Sequence, residues 1–430
     1  IEKLNCKKCD FETDPNQLRL TRQSIQKAPP DLLFSTTEML NQRMSDTYMR
    51  RLFGVGCAVD QKPSYILLDE VHTYAGTSGA QTSLLLRRWR ALLGKNVHWV
   101  GLSATLQEAS VFFADLTGVY TDSISEITPA VEDLEEEGAD YQLLLRTDPS
   151  SQAATLSTSI QTLMLLSRML DPGSDRPSLG LFGRRVFAFT DDLDVTHRLF
   201  DDLRDAEAYD RFGKPDDAHE TLASLRSIHQ PEPEERETDG QYWRIAEELR
   251  GKLEDRLVVG RTTSRDPGVE GGADVVVATA SLEVGYNDPD VGAVLQHKAP
   301  RSNASFVQRK GRAGRQRGMR PITVTVLSDF GRDQLAFQAY EQLFSPQIER
   351  QKLPVRNVYV LRMQAVCAMF DWIADGAFKS GVNGWSWQSL SSPPGRQNDQ
   401  AFRNYTKKIL GELMRLEAKT IERLGLHLRK

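Results

Sequence analysis

The strongest constraint on the fold is a set of short apolar runs that stop abruptly at polar residues. Tyr65-Ile66-Leu67-Leu68 ends at Asp69-Glu70, and the run over 97–102 ends at Ser103. Val186-Phe187-Ala188-Phe189, Leu257-Val258-Val259, Val275-Val276-Val277-Ala278 and the runs 291–295 and 322–327 repeat the pattern. Runs this short that are apolar throughout are expected of strands buried on both faces, as in a parallel sheet. Between the first two runs, 80–93 reads as a helix, which completes a βαβ unit. The later runs, spaced by helical or loop segments, read as a second α/β lobe.

At 430 residues, 40% of them hydrophobic, the chain exceeds what one core ordinarily supports, so two domains or more are expected. With 26% charged residues and no apolar run near twenty, no helix is expected to cross a bilayer. Of four cysteines only Cys6 and Cys9 are close, which makes no disulfide framework and points to a reducing, cytoplasmic location. The first residue is Ile1, with no charged and then apolar leader after it, so no signal peptide is visible and the chain is expected to be truncated.

The net charge of -5 means that attraction to nucleic acid must come from a local patch. Such a patch exists: 301–320 carries seven cations (Arg301, Arg309, Lys310, Arg312, Arg315, Arg317, Arg320) and no acid. The opposite run, 131–140, carries six acids and no base and is expected to be solvated surface. A polar segment over 208–240, with Pro231 and Pro233, reads as an exposed insertion. From 334 onward the strand pattern stops, and Phe402, Tyr405, Ile409, Leu413, Leu416 and Leu424 recur at helical spacing.

Asp69-Glu70-Val71-His72 is the most informative tetrapeptide. An acid at the carboxyl end of a strand suits a Mg²⁺ carried by nucleotide phosphates, and the next acid suits polarisation of an attacking water. Two acids after a strand also occur in ordinary loops, so the pair alone decides nothing. Ser103-Ala104-Thr105 follows the next strand, thirty-four residues after Asp69, which places small hydroxyl residues on the same sheet edge. Gln308-Arg309-Lys310-Gly311-Arg312-Ala313-Gly314-Arg315 has two Gly-Arg steps that let the backbone run close to a partner and project guanidinium forks suited to phosphate oxygens. The bland alternative for it is a solvated basic loop.

Taken in order, these three segments resemble motifs II, III and VI of the superfamily 2 DEAD/DEAH-box helicases. Phe189-Thr190 resembles motif IV, the octapeptide Ala278-Thr279-Ala280-Ser281-Leu282-Glu283-Val284-Gly285 motif V, and Ser35-Thr36-Thr37-Glu38-Met39-Leu40-Asn41 motif Ib. The likeness covers 33–315. It implies two RecA-like lobes that close around ATP. Asp69 would hold Mg²⁺ through water, Glu70 would orient the hydrolytic water, and Arg312 and Arg315 would be finger residues with Gln308 nearby. Ser103 and Thr105 would couple hydrolysis to lobe movement. His72 would face the nucleotide or motif VI, and Glu283 and Gly285 would lie toward the nucleotide. Thr36, Thr37, Phe189, Thr190, Thr279 and Ser281 would meet the nucleic acid, the threonines of motif Ib through phosphates and so without reading sequence.

The resulting map is an α/β chain. Its parts are a partial first RecA-like lobe at 1–130, a linker at 131–180, a second lobe at 181–333 and a helical C-terminal region at 334–430. Asp69 to Arg88 together with Arg19 to Met44 also resemble the helicase subunit of the bacterial DISARM antiphage system and the MrfA-type DNA repair helicases. That likeness implies DNA as partner, as a single strand or a duplex with a single-stranded end, and a second defence-system subunit. It also makes Cys6-Lys7-Lys8-Cys9 look like half of a Zn²⁺ ribbon. A ribbon needs four ligands, and Cys57 and Cys367 are isolated, which suits buried small hydrophobes. The main departure from the family is the lack of a Gly-Lys-Ser/Thr phosphate loop. Gly94-Lys95-Asn96 has no hydroxyl and follows a helix, so Gly94 reads as a helix C-cap. Trp372, Trp385 and Trp387 suit either base stacking or packing in a helical domain, and His98 and His297 read as structural. The rival readings are a helicase-derived clamp without turnover and an RNA helicase.

Overall fold

The computed structural model describes residues 3–9, 11–104, 106–135, 138–147, 154–172, 177–227, 233–238, 241–249, 253–263, 271–279, 282, 287–345, 347–382 and 397–429. In chain order the elements begin α1 (Arg22–Lys27), α2 (Thr37–Arg43), β1 (Tyr65–Leu68), α3 (Gly76–Leu93), β2 (His98–Gly101), α4 (Ala109–Thr117), β3 (Tyr141–Arg146) and α5 (Thr155–Met169). They continue with β4 (Arg185–Phe189), α6 (Leu193–Ala206), α7 (Pro233–Thr238), β5 (Val259–Thr262), β6 (Val275–Ala278), β7 (Val291–His297), α8 (Asn303–Lys310) and β8 (Ile322–Leu327). The chain ends with α9 (Gly331–Gln338), α10 (Tyr340–Phe344), α11 (Val358–Lys379), α12 (Gln397–Met414) and α13 (Ala418–Leu428). They form two units: Ile1–Ile127 with Glu349–Lys430, and Thr128–Ile348.

The second unit is built on a six-stranded parallel sheet of order β3-β8-β7-β4-β6-β5. Alternation along its central strands feeds two cores. Val186, Ala188, Val275, Val277, Ala293, Leu295, Val324 and Val326 meet Leu163 and Met164 of α5 and Leu199 and Leu203 of α6. Phe187, Phe189, Val276, Ala278, Val291 and Val294 fill the other face with Leu282 and Ala313. Each such side chain taken from water contributes about 1.5–3 kcal/mol, which is why the strands read as unbroken apolar runs.

Two expectations differ from the structure here. The stretch 131–180, expected as a linker, contains β3, paired with β8 over all six residues, and α5, whose Leu163 and Met164 are fully buried. The acidic run ahead of β3 masks a strand of only six residues. The segment 208–240, expected to be exposed, sends Ala223 into the core, and the Thr221 hydroxyl donates to the Leu253 carbonyl at 2.7 Å. Two buried charges fasten its start: Arg168 pairs with both oxygens of Glu207 at 2.8 Å, and Glu207 accepts the Leu257 N–H at 3.0 Å.

In the first unit β1 and β2 pair in parallel, Tyr65 opposite His98 through Leu68 opposite Gly101, with α3 as the crossover. Gly94 ends α3 in the left-handed conformation, φ +58°, as expected of a C-cap. The outer side of the pair is open: Tyr65, Leu67, Val100 and Leu102 are exposed. The helical C-terminal region is present, but its division differs from the expected start at 334: α9 and α10 belong to the second unit, and everything from Glu349 belongs to the first.

That return is held by a buried charge network. Arg88 of α3 gives Nε and Nη2 to Asp371 Oδ2 at 2.9 and 2.7 Å, and Nη1 to Gln364 at 2.7 Å and to Asn41 of α2 at 3.2 Å. Arg50 reaches Asp375 at 2.8 Å. Trp372 packs in the cluster of α11 and α12 with Arg423 over its ring, so it is a core aromatic, whereas Trp385 and Trp387 lie outside the described residues. His98 stacks on Tyr65 at 5.2 Å.

Asp371 is 1% exposed, and burial pushes its carboxyl up to about 6 against the pull of Arg88. Its folded pKa therefore exceeds the unfolded one, so its contribution to stability is present below about pH 4 and is lost as pH rises to about 6. Urea titrations should show Asp371→Asn flattening the pH slope between those values. Arg88→Ala, which strands a buried carboxylate, should cost about 3–5 kcal/mol. An Arg88→Ala protein as stable as its parent would refute the role given to this pair.

Candidate functional site

In the first unit the site is built at the carboxyl ends of β1 and β2, which parallel pairing brings to one edge. Asp69 is exposed, and its Oδ1 accepts the Glu70 N–H at 2.9 Å. Glu70 sits at φ +48°, ψ +47°, a left-handed conformation that costs a non-glycine residue on the order of 1 kcal/mol or more. The turn is held because the Glu70 carbonyl accepts from Thr73, N–H at 2.8 Å and hydroxyl at 2.7 Å.

His72 is 1% exposed and ties the two loops. The Ala104 N–H lies 3.3 Å from His72 Nδ1 and can only donate, so Nδ1 is the acceptor and Nε2 carries the proton. Nε2 points to Glu70 Oε2 at 3.5 Å, and Nδ1 also meets the Ser103 hydroxyl at 3.2 Å. Of the expected couplers, Ser103 is thus joined to the acidic loop through His72, while Thr105 lies outside the described residues. Thr36 caps α2, accepting the Met39 N–H at 3.2 Å, and Thr37 is the first residue of that helix.

In the second unit, α8 opens with a Ser302 cap and runs into the glycine-arginine loop. Gly314 takes φ +71°, and a Cβ there would collide with the Pro321 ring, so only glycine fits. Arg315 is exposed, its Nε bonded to the Gly311 carbonyl at 3.1 Å. Arg312 is largely covered at 8% exposure, and Gln308 is half-buried on α8. Arg309, counted with the basic patch, is an internal pin: it lies 2.7 Å from Gln296 Oε1 and 2.6 Å from Asp191, beneath the Phe189 ring. Neither Gln296 nor Asp191 was singled out from sequence. An acid just after a strand was the available signal.

The expected nucleic-acid contacts of Phe189 and Thr190 are not open to their side chains, for both are fully buried. Phe189 belongs to the core, and the Thr190 hydroxyl bonds Thr196 at 2.6 Å. Thr279, after β6, is half-buried, and Ser281, Glu283 and Gly285 lie outside the described residues. His297 is structural in its contacts, 2.8 Å from the Ser159 hydroxyl, and burial pushes its imidazole down to about 4.

Cys6 and Cys9 lie on an exposed turn of a small antiparallel hairpin in which Asn5 bridges Glu12. The Lys8 N–H points at Cys6 Sγ, 3.4 Å away, and this backbone bond holds the thiol below its ordinary range. Among the described residues no three His, Cys, Asp or Glu side chains gather to hold a metal, so a Zn²⁺ site lacks half its ligands. Cys57 and Cys367 are half-buried rather than buried. An Mg²⁺ bound with nucleotide would suit the exposed Asp69 carboxylate.

Residues 261–317 match the family described as "Helicase conserved C-terminal domain". The Lhr helicase/uracil glycosylase of Escherichia coli (strain K12) is 27% identical over 362 residues, which is 81% of this chain and 22% of that protein. The Lhr helicase/probable uracil glycosylase of Mycolicibacterium smegmatis is 28% identical over 312 residues, 71% of this chain and 18% of that one. The chain therefore spans about a fifth of the length of the curated relatives it matches. Among solved structures, Lhr of Mycobacterium smegmatis bound to ssDNA and AMP-PNP superposes with a TM-score of 0.51 at 20% identity, covering 83% of this chain and 39% of Lhr. The DUF1998 helicase MrfA bound to DNA and AMPPNP gives 0.50 at 16% identity, covering 81% and 42%. No helix among the described residues is long and apolar enough to cross a membrane.

Burial lowers the His72 imidazole, with Glu70 and Asp69 opposing. With a folded pKa below the unfolded one, its contribution is present above about pH 6.5 and is lost on acidification, when Nδ1 gains a proton facing the Ala104 N–H. An NMR titration should place the His72 midpoint below 6.5, and His72→Ala, leaving that N–H without an acceptor, should cost about 1–3 kcal/mol in urea unfolding. A midpoint above 6.5 would contradict burial as the dominant influence on this imidazole.

Proposed function

We propose that this chain, a superfamily 2 helicase relative with the fold of Lhr and MrfA, is the motor part of an ATP-dependent DNA helicase or translocase. The observation that carries the reading is the strained Glu70 beside Asp69 at the end of β1, held by His72 against the Ser103-Ala104 loop. A strained acid whose neighbour tethers it to the next loop suits a group that must direct a water with fixed geometry.

Glu70 orients and polarises the water, and Asp69 holds the Mg²⁺ that accompanies the triphosphate. Arg315, with Arg312, neutralises charge gathering on the γ-phosphate. Ser103 passes the state of the acidic loop to the sheet edge. Thr36, Thr37 and Thr279 serve the nucleic-acid side through phosphate contacts. DNA as the partner is supported by the solved structures of Lhr and MrfA, one bound to ssDNA and the other to DNA. The cytoplasm is the compartment we assign, and antiphage defence with a second subunit is proposed from the DISARM resemblance.

ATP turnover requires a phosphate loop, and no Gly-Lys-Ser/Thr occurs in the 430 residues. The same observation favours a second reading, a clamp that holds DNA without turnover. In the protein that includes a phosphate loop, Glu70→Gln should lower DNA-stimulated ATPase activity by roughly 10²–10⁴-fold while ATP binding persists. DNA oligonucleotides should stimulate more than RNA of the same length. Full ATPase activity in Glu70→Gln would overturn the catalytic reading, and ATP binding without turnover in the parent would favour the clamp.

A further inference from the structure

The outer edge of β3 is unusual for a chain that stays alone. It ends the six-stranded sheet, and among the described residues no strand pairs beyond it. The Tyr141 N–H bonds the Pro321 carbonyl and the Thr147 N–H bonds the Leu327 carbonyl, so odd-numbered residues face β8. The backbone groups of Gln142, Leu144 and Arg146 therefore face outward. Exposed edges are ordinarily blunted by lysine, proline or a bulge, and β3, Tyr-Gln-Leu-Leu-Leu-Arg, has none of these. The opposite edge strand, β5, is only four residues long and carries Arg261.

Beside this edge lies an apolar groove of about 390 Å³, lined by Leu143, Leu145, Leu165, Met169 and Val324 among others. Leu143 and Met169 are half exposed. Gln142 also lines the groove, and its Oε1 is buried without a hydrogen-bond partner among the described residues. Unpaired ladder groups, an apolar flank of α5 and a buried acceptor together are the footprint of one more strand.

We infer that the occupant is β3 of a second copy of this chain, added antiparallel across a two-fold axis at Leu143. The charges select this occupant. An antiparallel register centred on Leu143 pairs Gln142 with Leu144 and sets Asp140 opposite Arg146, so the acidic end of each copy meets the basic end of the other. Asp140 is exposed, and Arg146, which reaches Asp329 at 3.5 Å, is 44% exposed. Leu143 meets its own counterpart at a non-hydrogen-bonded position, where side chains approach most closely. The two six-stranded sheets join into one, and Met169 and Leu165 of both copies close over the seam. This interface lies within the second unit and does not depend on the catalytic reading.

Sedimentation velocity of the 430-residue chain over a range of concentrations tests it. A reversible dimer is expected. Leu143→Glu, which sets like charges at the axis, should weaken it roughly a hundredfold. Leu144→Pro removes an outward N–H without touching the β8 ladder and should leave a monomer with an unchanged urea midpoint. Asp140→Arg alone should weaken the dimer, and Asp140→Arg with Arg146→Asp should restore it. A chain that stays monomeric at every concentration, or a dimer indifferent to both Leu143→Glu and the charge exchange, would overturn the inference.

Discussion

Each loop of the candidate site sits where it does because neighbouring strands run the same way. Parallel pairing forces the chain to return by a crossover on the far side, so consecutive strands deliver their carboxyl ends to one edge. In the first unit this brings the loop after β1 to the loop after β2, close enough for one imidazole to bond both. In the second, the ends of β4 and β7 and the helix α8 meet through Arg309, bonded at once to Asp191 and Gln296. Antiparallel pairing would have put these loops at opposite ends of the sheet.

The geometry of the candidate site is maintained by hydrogen bonds to backbone groups and by buried side chains. Glu70 keeps a left-handed backbone because Thr73 bonds its carbonyl twice, and its carboxylate is aimed by a histidine whose tautomer is set by a backbone N–H. Gly314 lets the arginine loop pass Pro321, and Arg309 gives up its charge to internal partners. Of the seven cations in 301–320, Arg309 and Arg312 are buried, and Arg301, Arg315, Arg317 and Arg320 are exposed, with Arg317 paired to Glu135.

Local signals were legible in the sequence wherever local physics decides. The run Ile322–Leu327 is the strand β8 residue for residue, and Gly94 is the C-cap its position after a helix implied. The acidic tetrapeptide and the glycine-arginine loop could be singled out because each gathers its polar groups into a few adjacent residues. What stayed hidden depends on pairs far apart in the chain. β3 is too short and too polar in its surroundings to announce itself without β8 beside it. Phe189 and Thr190 carried a family role that their burial denies to their side chains. The tie between His72 and Ala104, and that between Arg88 and Asp371, join positions whose spacing follows no local period.

The link from Arg88 to Asp371 spans 283 positions, and the whole of Thr128–Ile348 is made between the two halves of the first unit. On the ribosome, α3 emerges with its Arg88 face bare and waits on the order of tens of seconds for α11. During that interval Thr128–Ile348, whose six strands pair with one another among the described residues, is free to fold, so the order of synthesis and the order of folding part company. A nascent chain halted before α11 would hold one finished unit and one still awaiting closure, the kind of species that chaperones recognise.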